Sequence, residues 1–149
     1  MKALTAPMQQ LGEFEEILRK IRTNRGVLQV SGCIDPQKPH FISCAAEGYD
    51  CRLIITYSDL RARELYENYR FFDRDVLYFP AKDLIFFQAD IHSNLLEQQR
   101  IAVLKALAER KNVTVITTMA ACMNHLMPSE IWQKQVLTFA PGDVLDMEA

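Results

Sequence analysis

Arg52-Leu53-Ile54-Ile55-Thr56-Tyr57 is the stretch from which the fold can be read. It is a continuous apolar run with β-branched residues and no helical period, as a strand covered on both faces requires. Ser58 follows at once and suits a helix N-cap. Ala62, Leu65, Tyr69 and Phe72 then mark one face of a helix at three- and four-residue spacing. Asp75-Val76-Leu77-Tyr78-Phe79 reads as a second strand, closed by Pro80. A strand, a helix and a strand of these lengths make a parallel pair joined by a right-handed crossover.

The same alternation extends both ways. Downstream, Ala81 to His92 shows no clear period, with a hydrophobic run at Leu84-Ile85-Phe86-Phe87 that reads as core filler or, alternatively, as an apolar patch covered by another domain or partner. Ser93-Asn94 opens a strong helix, with Glu97 placed as in a capping box and Leu96, Val103, Leu104 and Leu107 as its buried face. Lys111-Asn112 ends it, and Val113-Thr114-Val115-Ile116-Thr117-Thr118 is another strand. A short helix is expected over Met119–Leu126, a further turn at Pro128-Ser129, a strand at Val136-Leu137-Thr138-Phe139 and a turn at Pro141-Gly142-Asp143. Upstream, Leu11, Phe14, Leu18 and Ile21 give an amphipathic first helix, stopped at Asn24-Arg25-Gly26. Val27-Leu28-Gln29-Val30 then reads as a short buried strand ending at Ser31-Gly32, followed by a loop and a helix from Pro39 to Glu47.

The bulk numbers suit one α/β domain with its own core. The 149 residues are 49% hydrophobic and 24% charged, and five glycines and six prolines leave little room for low complexity. A formal net charge of −2 argues against a free-standing nucleic-acid binder. No run is apolar enough to span a bilayer and the N-terminus does not read as a secretion signal, so a cytoplasmic location is expected. Cys33, Cys44, Cys51 and Cys122 form no C-x-x-C pair. The set Cys33, His40, Cys44 and Cys51 matches no zinc-knuckle spacing, so no metal is expected.

Phosphate chemistry would sit in the first strand–loop–helix. A working phosphate loop reads G-x-x-x-x-G-K-[ST]. Here Gly32 and Lys38 fill two of its positions, but Gln37 stands at the second glycine and Pro39 at the magnesium-binding hydroxyl. Gln37 obstructs a tight wrap, and Pro39 removes both a metal ligand and an amide donor. The loop is therefore read as degenerate, with no catalytic residue and no cofactor expected. Asp90, His92 and Ser93 are the residue types of a hydrolase triad but lie too close together for its geometry. Arg61, Arg63, Arg70 and Arg74 could supply a DNA-binding face, although helices carry such residues for solvation alone.

Two stretches carry a family resemblance. Leu77-Tyr78-Phe79-Pro80-Ala81-Lys82-Asp83 runs through Ala89-Asp90-Ile91-His92-Ser93-Asn94-Leu95-Leu96 to Gln99-Arg100 and Val103-Leu104-Lys105-Ala106-Leu107. Val115-Ile116-Thr117-Thr118 then leads to Met123-Asn124-His125-Leu126-Met127-Pro128 and on to Pro141-Gly142-Asp143. This order resembles the N-terminal, UvrB-like module of the bacterial transcription-repair coupling factor (Mfd) family. The resemblance implies a three-layer, RecA-like sheet of the P-loop type with flanking helices and no working ATP motifs. It implies an α/β domain over residues 1–126 and, over 127–149, the truncated start of a following small domain. It further implies a long ATP- and magnesium-dependent DNA translocase that removes stalled RNA polymerase and recruits UvrA. This chain would be the non-catalytic scaffold and regulatory module of that protein, packing on its other domains. The competing expectations are a nucleotide-binding P-loop-type ATPase, resting on Gly32 and Lys38, and a DNA-binding domain, resting on the arginines.

Overall fold

The computed structural model describes residues 2–82, 90–109 and 111–135. Two helices lead, α1 (Lys2–Gln9) and α2 (Gly12–Thr23), followed by a 3-10 turn (Asp35–Gln37) and α3 (Lys38–Ala45). The core elements are β1 (Cys51–Thr56), α4 (Asp59–Tyr69), β2 (Val76–Phe79), α5 (Asp90–Ala108) and β3 (Val113–Thr118). Two short helices follow, α6 (Met119–Cys122) and α7 (Ser129–Gln135). The expected strand at Val136–Phe139 and the apolar run Leu84–Phe87 lie outside the described residues.

Among the described residues, the sheet has three strands in the order β1-β3-β2, all parallel. Leu53 pairs with Val115 and Val115 with Leu77, so parity along each strand assigns its faces. One face carries Ile54, Ile116, Val76 and Tyr78, packed by Ala62, Leu65 and Tyr69 of α4, with Ile42 of α3 beside them. The other carries Val113, Val115, Leu77 and Phe79, packed by Val103 and Ala106 of α5 and Ala121 of α6. β3 lies between two strands and two helical layers, so all six of its residues are buried. Its threonines enter the core with their hydroxyls satisfied: Thr114 donates to Asp73 at 2.6 Å and Thr117 to the Phe79 carbonyl at 2.8 Å. The Thr118 hydroxyl accepts from the Ala121 amide and caps α6.

Several expectations need correction. Val27–Val30 is not a strand: the segment is unpaired, and Val27 is 97% exposed. Its apolar composition suits a strand, but pairing needs a neighbour that local sequence does not encode. Among the described residues, β1 lies at the edge of the sheet and is covered on one face only. α5 spans β2 and β3 and leaves Leu53 59% and Ile55 49% exposed. β3, not β1, is the strand covered on both sides. α5 begins at Asp90, so Ser93-Asn94 lies inside the helix rather than capping it. Its buried stripe is Arg100, Val103 and Ala106, while Leu107 is exposed. α6 stops at Cys122, well short of Leu126.

α4 follows the sequence closely. The Ser58 side chain accepts from the Arg61 amide at 3.3 Å, and Ala62, Leu65 and Tyr69 are buried. Ser58→Ala is expected to remove this cap and lower stability by about 1 kcal/mol, or about 3 °C in Tm. Thermal denaturation followed by circular dichroism measures it; an unchanged Tm would mean the cap is not formed in solution.

Candidate functional site

The segment from Gly32 to Pro39, where phosphate chemistry is sought in the sequence, is a loop leading into a 3-10 turn and the start of α3. No strand feeds it, since the residues before it are unpaired. Gly32 has φ +95, a conformation that favours glycine, but a Cβ placed there would meet no atom within 4 Å. The glycine is thus required by the backbone turn, with no neighbouring protein atom crowding it. Gln37 ends the exposed 3-10 turn, and Pro39 is buried in the first turn of α3. Lys38 Nζ lies 2.6 Å from Asp35 Oδ1, within its own turn, and Arg61 lies 3.2 Å from the same oxygen. The hydrogen bond from Lys38, then the charges of Arg61 and Lys38, hold the Asp35 carboxyl below its ordinary range. The one lysine that could meet a phosphate therefore already faces a carboxylate.

The α4 arginines are also matched locally. Arg61 pairs with Glu64, Arg63 with Asp59 at 2.7 Å and Arg70 with Glu67, each one helical turn away. Arg63 also lies over the Tyr78 ring and Arg70 over Tyr66. Three of the four arginines of the expected DNA-binding face are thus charge-matched on their own helix. Asp90, His92 and Ser93 fall within the first turn of α5, one helix rather than three separate elements. Among the described residues, no three His, Cys, Asp or Glu side chains gather as metal ligands, and no helix is long and apolar enough to cross a membrane.

Two clefts flank the sheet at opposite ends of its strands. One, of about 250 Å³, lies where the strands begin, lined by Glu47, Tyr49, Arg52, Asp73 and Asp75. Arg52 there faces Asp73 at 3.6 Å and donates to Asn112, so its charge is met. The other, of about 200 Å³, lies beyond the carboxyl ends of β2 and β3, where parallel α/β sheets take their ligands. Lys82, Glu97, Arg100 and His125 line it among apolar neighbours. The Lys82 amide donates to Asn124 Oδ1 at 3.0 Å, tying the end of β2 to the loop that carries His125.

Sequence reasoning passed over Arg100, although the signal was present. It stands four residues after Leu96 and three before Val103, on the inward stripe of α5, where an arginine is out of place.

The chain is similar to UvrABC system protein B of Pseudomonas fluorescens, 35% identical over 89 residues that make 59% of this chain and 13% of that protein. It is also similar to UvrABC system protein B of Dechloromonas aromatica, 27% identical over 86 residues, 58% of this chain and 12% of the relative. The chain thus spans a small part of the length of these curated relatives. No protein-family profile and no solved structure matches it.

Proposed function

We propose that this chain is a non-catalytic, UvrB-like module acting in nucleotide excision repair, the N-terminal scaffold of a transcription-repair coupling factor. The observation that carries the non-catalytic part is the Lys38–Asp35 pair in a loop with no strand behind it. A phosphate loop needs an uncommitted lysine and a ring of amides aimed at one point; here the lysine is engaged and Pro39 supplies no amide. The similarity to UvrABC system protein B supports the repair context. ATP, magnesium, RNA polymerase and DNA belong, on this reading, to the rest of a longer protein, and UvrA recruitment to a surface that this module supports.

Backbone-amide NMR of the chain with Mg·ATP tests the proposal site by site. The amides from Gly32 to Lys38 are expected to stay unmoved at millimolar nucleotide, and Lys38→Ala to change nothing. Saturable shifts confined to that loop, lost in Lys38→Ala, would establish the rival reading of a nucleotide-binding P-loop-type protein.

A further inference from the structure

Arg100 is a buried cation that no acidic side chain among the described residues meets. It is 4% exposed. One terminal nitrogen donates to the Pro80 carbonyl at 2.6 Å, and the guanidinium lies 4.1 Å from the centroid of the Phe79 ring. The other terminal nitrogen, Nη2, is buried and has no hydrogen-bond partner. No ion pair links Arg100 to any acidic side chain among the described residues, Glu97 included, although Glu97 lines the same cleft. Burial alone pulls its pKa down, with no carboxylate holding it up. Such an arrangement is costly for a fold unless something binds there, because desolvating a charge without a counter-charge is strongly unfavourable.

The surroundings say what that something is. Lys82 shares the cleft, and no carboxylate pairs with it among the described residues. His125 lines the same space, held to Lys82 through Asn124. The cleft therefore brings together two fixed cations and an imidazole against one carboxylate, on a chain whose net charge is −2. A carboxylate ligand is best held by both terminal nitrogens of an arginine at once, but Pro80 already occupies one of them. What remains is a set of single donors on separate elements: Arg100 from α5, whose Nη2 has no partner, Lys82 from the end of β2 and His125 from the loop after α6. Single donors from several elements suit a tetrahedral oxyanion better than a planar one.

We propose that this cleft is a binding site for a phosphoryl group, with the buried Arg100 as its anchor and Lys82 and His125 at its rim. It is separate from the degenerate loop, and does not depend on the reading of that loop.

Titration of the chain with inorganic phosphate, at an ionic strength held constant with sodium chloride, tests this by NMR. Saturable shifts are expected at the Lys82 and Asn124 amides and at the Arg100 side-chain Nε–H. Arg100→Met is expected to weaken binding by about tenfold or more, the loss of a charged hydrogen bond. Lys82→Ala and Glu97→Gln change side chains on the exposed rim, so they report even where Arg100→Met does not fold. The first is expected to weaken binding and the second to tighten it, each about threefold. A parallel titration with a short single-stranded oligonucleotide lacking terminal phosphates separates the sources. Displacement of bound phosphate identifies a nucleic-acid backbone as the natural ligand; phosphate binding without displacement identifies a small phosphorylated molecule. The absence of saturable shifts with both probes, or shifts that Glu97→Gln and Lys82→Ala leave unaltered, would overturn the assignment.

Discussion

Ile116→Ala is expected to lower the free energy of unfolding by about 3–4 kcal/mol, a large part of what a domain of this size has in total. Ile116 sits at the middle of β3 and is 0% exposed. Its side chain packs with Ala62, Leu65 and Tyr69 from α4 and with Val76 and Tyr78 from β2. β3 is hydrogen-bonded on both edges, so its backbone cannot move in to fill the space that truncation leaves. The cavity therefore persists, and its cost adds to the lost transfer free energy. Urea denaturation reads the effect as a lower midpoint at unchanged slope.

The informative comparison is Leu53→Thr. Leu53 belongs to an equally apolar strand and this substitution places a strand-favouring, β-branched residue there, yet its change in stability is expected to stay within about 0.5 kcal/mol. Two strands that look alike in composition then differ severalfold in sensitivity, because β1 is an edge and β3 is not. If Leu53→Thr destabilises as much as Ile116→Ala, the α5-side face of β1 is covered in solution.

That contrast also shows how much of the fold can be read from the chain. β1, β2 and β3 are legible because each contains an unbroken run of Val, Ile, Leu, Thr, Tyr or Phe bounded by a turn or a cap, and α4 because Ser58 and its apolar triplet agree. Strand order is not legible, since it depends on crossovers that pass over β3, and exposure follows strand order. For the same reason Val27–Val30 reads as a strand and is not one. Of the site, the Gln37 and Pro39 departures are visible at once, whereas the Asp35–Lys38 pair becomes visible only when the 3-10 turn brings the two side chains together. Arg100 is legible as an anomaly on a helix stripe, but its unmet charge depends on the Pro80 carbonyl and the Phe79 ring, twenty residues away in sequence.

Tyr78 is expected to make the protein unusually sensitive to alkali. Its phenol is buried against α4 and donates to the Asp59 carboxylate, with Arg63 alongside. Burial first, and then the hydrogen bond and charge of Asp59, push its pKa up to about 12 from 10.0, with Arg63 opposing. The neutral phenol is thus the form that the fold favours. Below pH 10 the folded and unfolded chains both hold the proton, and the contribution to stability is complete. Between pH 10 and 12 the unfolded chain releases its proton while the folded chain keeps it, so the unfolded state gains and stability falls as pH rises. The loss attributable to Tyr78 reaches about 2–3 kcal/mol by the upper end of that range. Tyr69 acts in the same direction, its pKa raised chiefly by burial, so the slope specific to Tyr78 is the difference between the parent protein and Tyr78→Phe. Urea midpoints at pH 8.5, 10 and 11.5 are expected to fall more steeply for the parent. At pH 8.5 the Phe variant is the weaker of the two, by about 1 kcal/mol for the lost hydrogen bond, and the gap closes or reverses by pH 11.5. Parallel curves across the whole range would mean that the Tyr78 hydroxyl is solvated rather than held against Asp59.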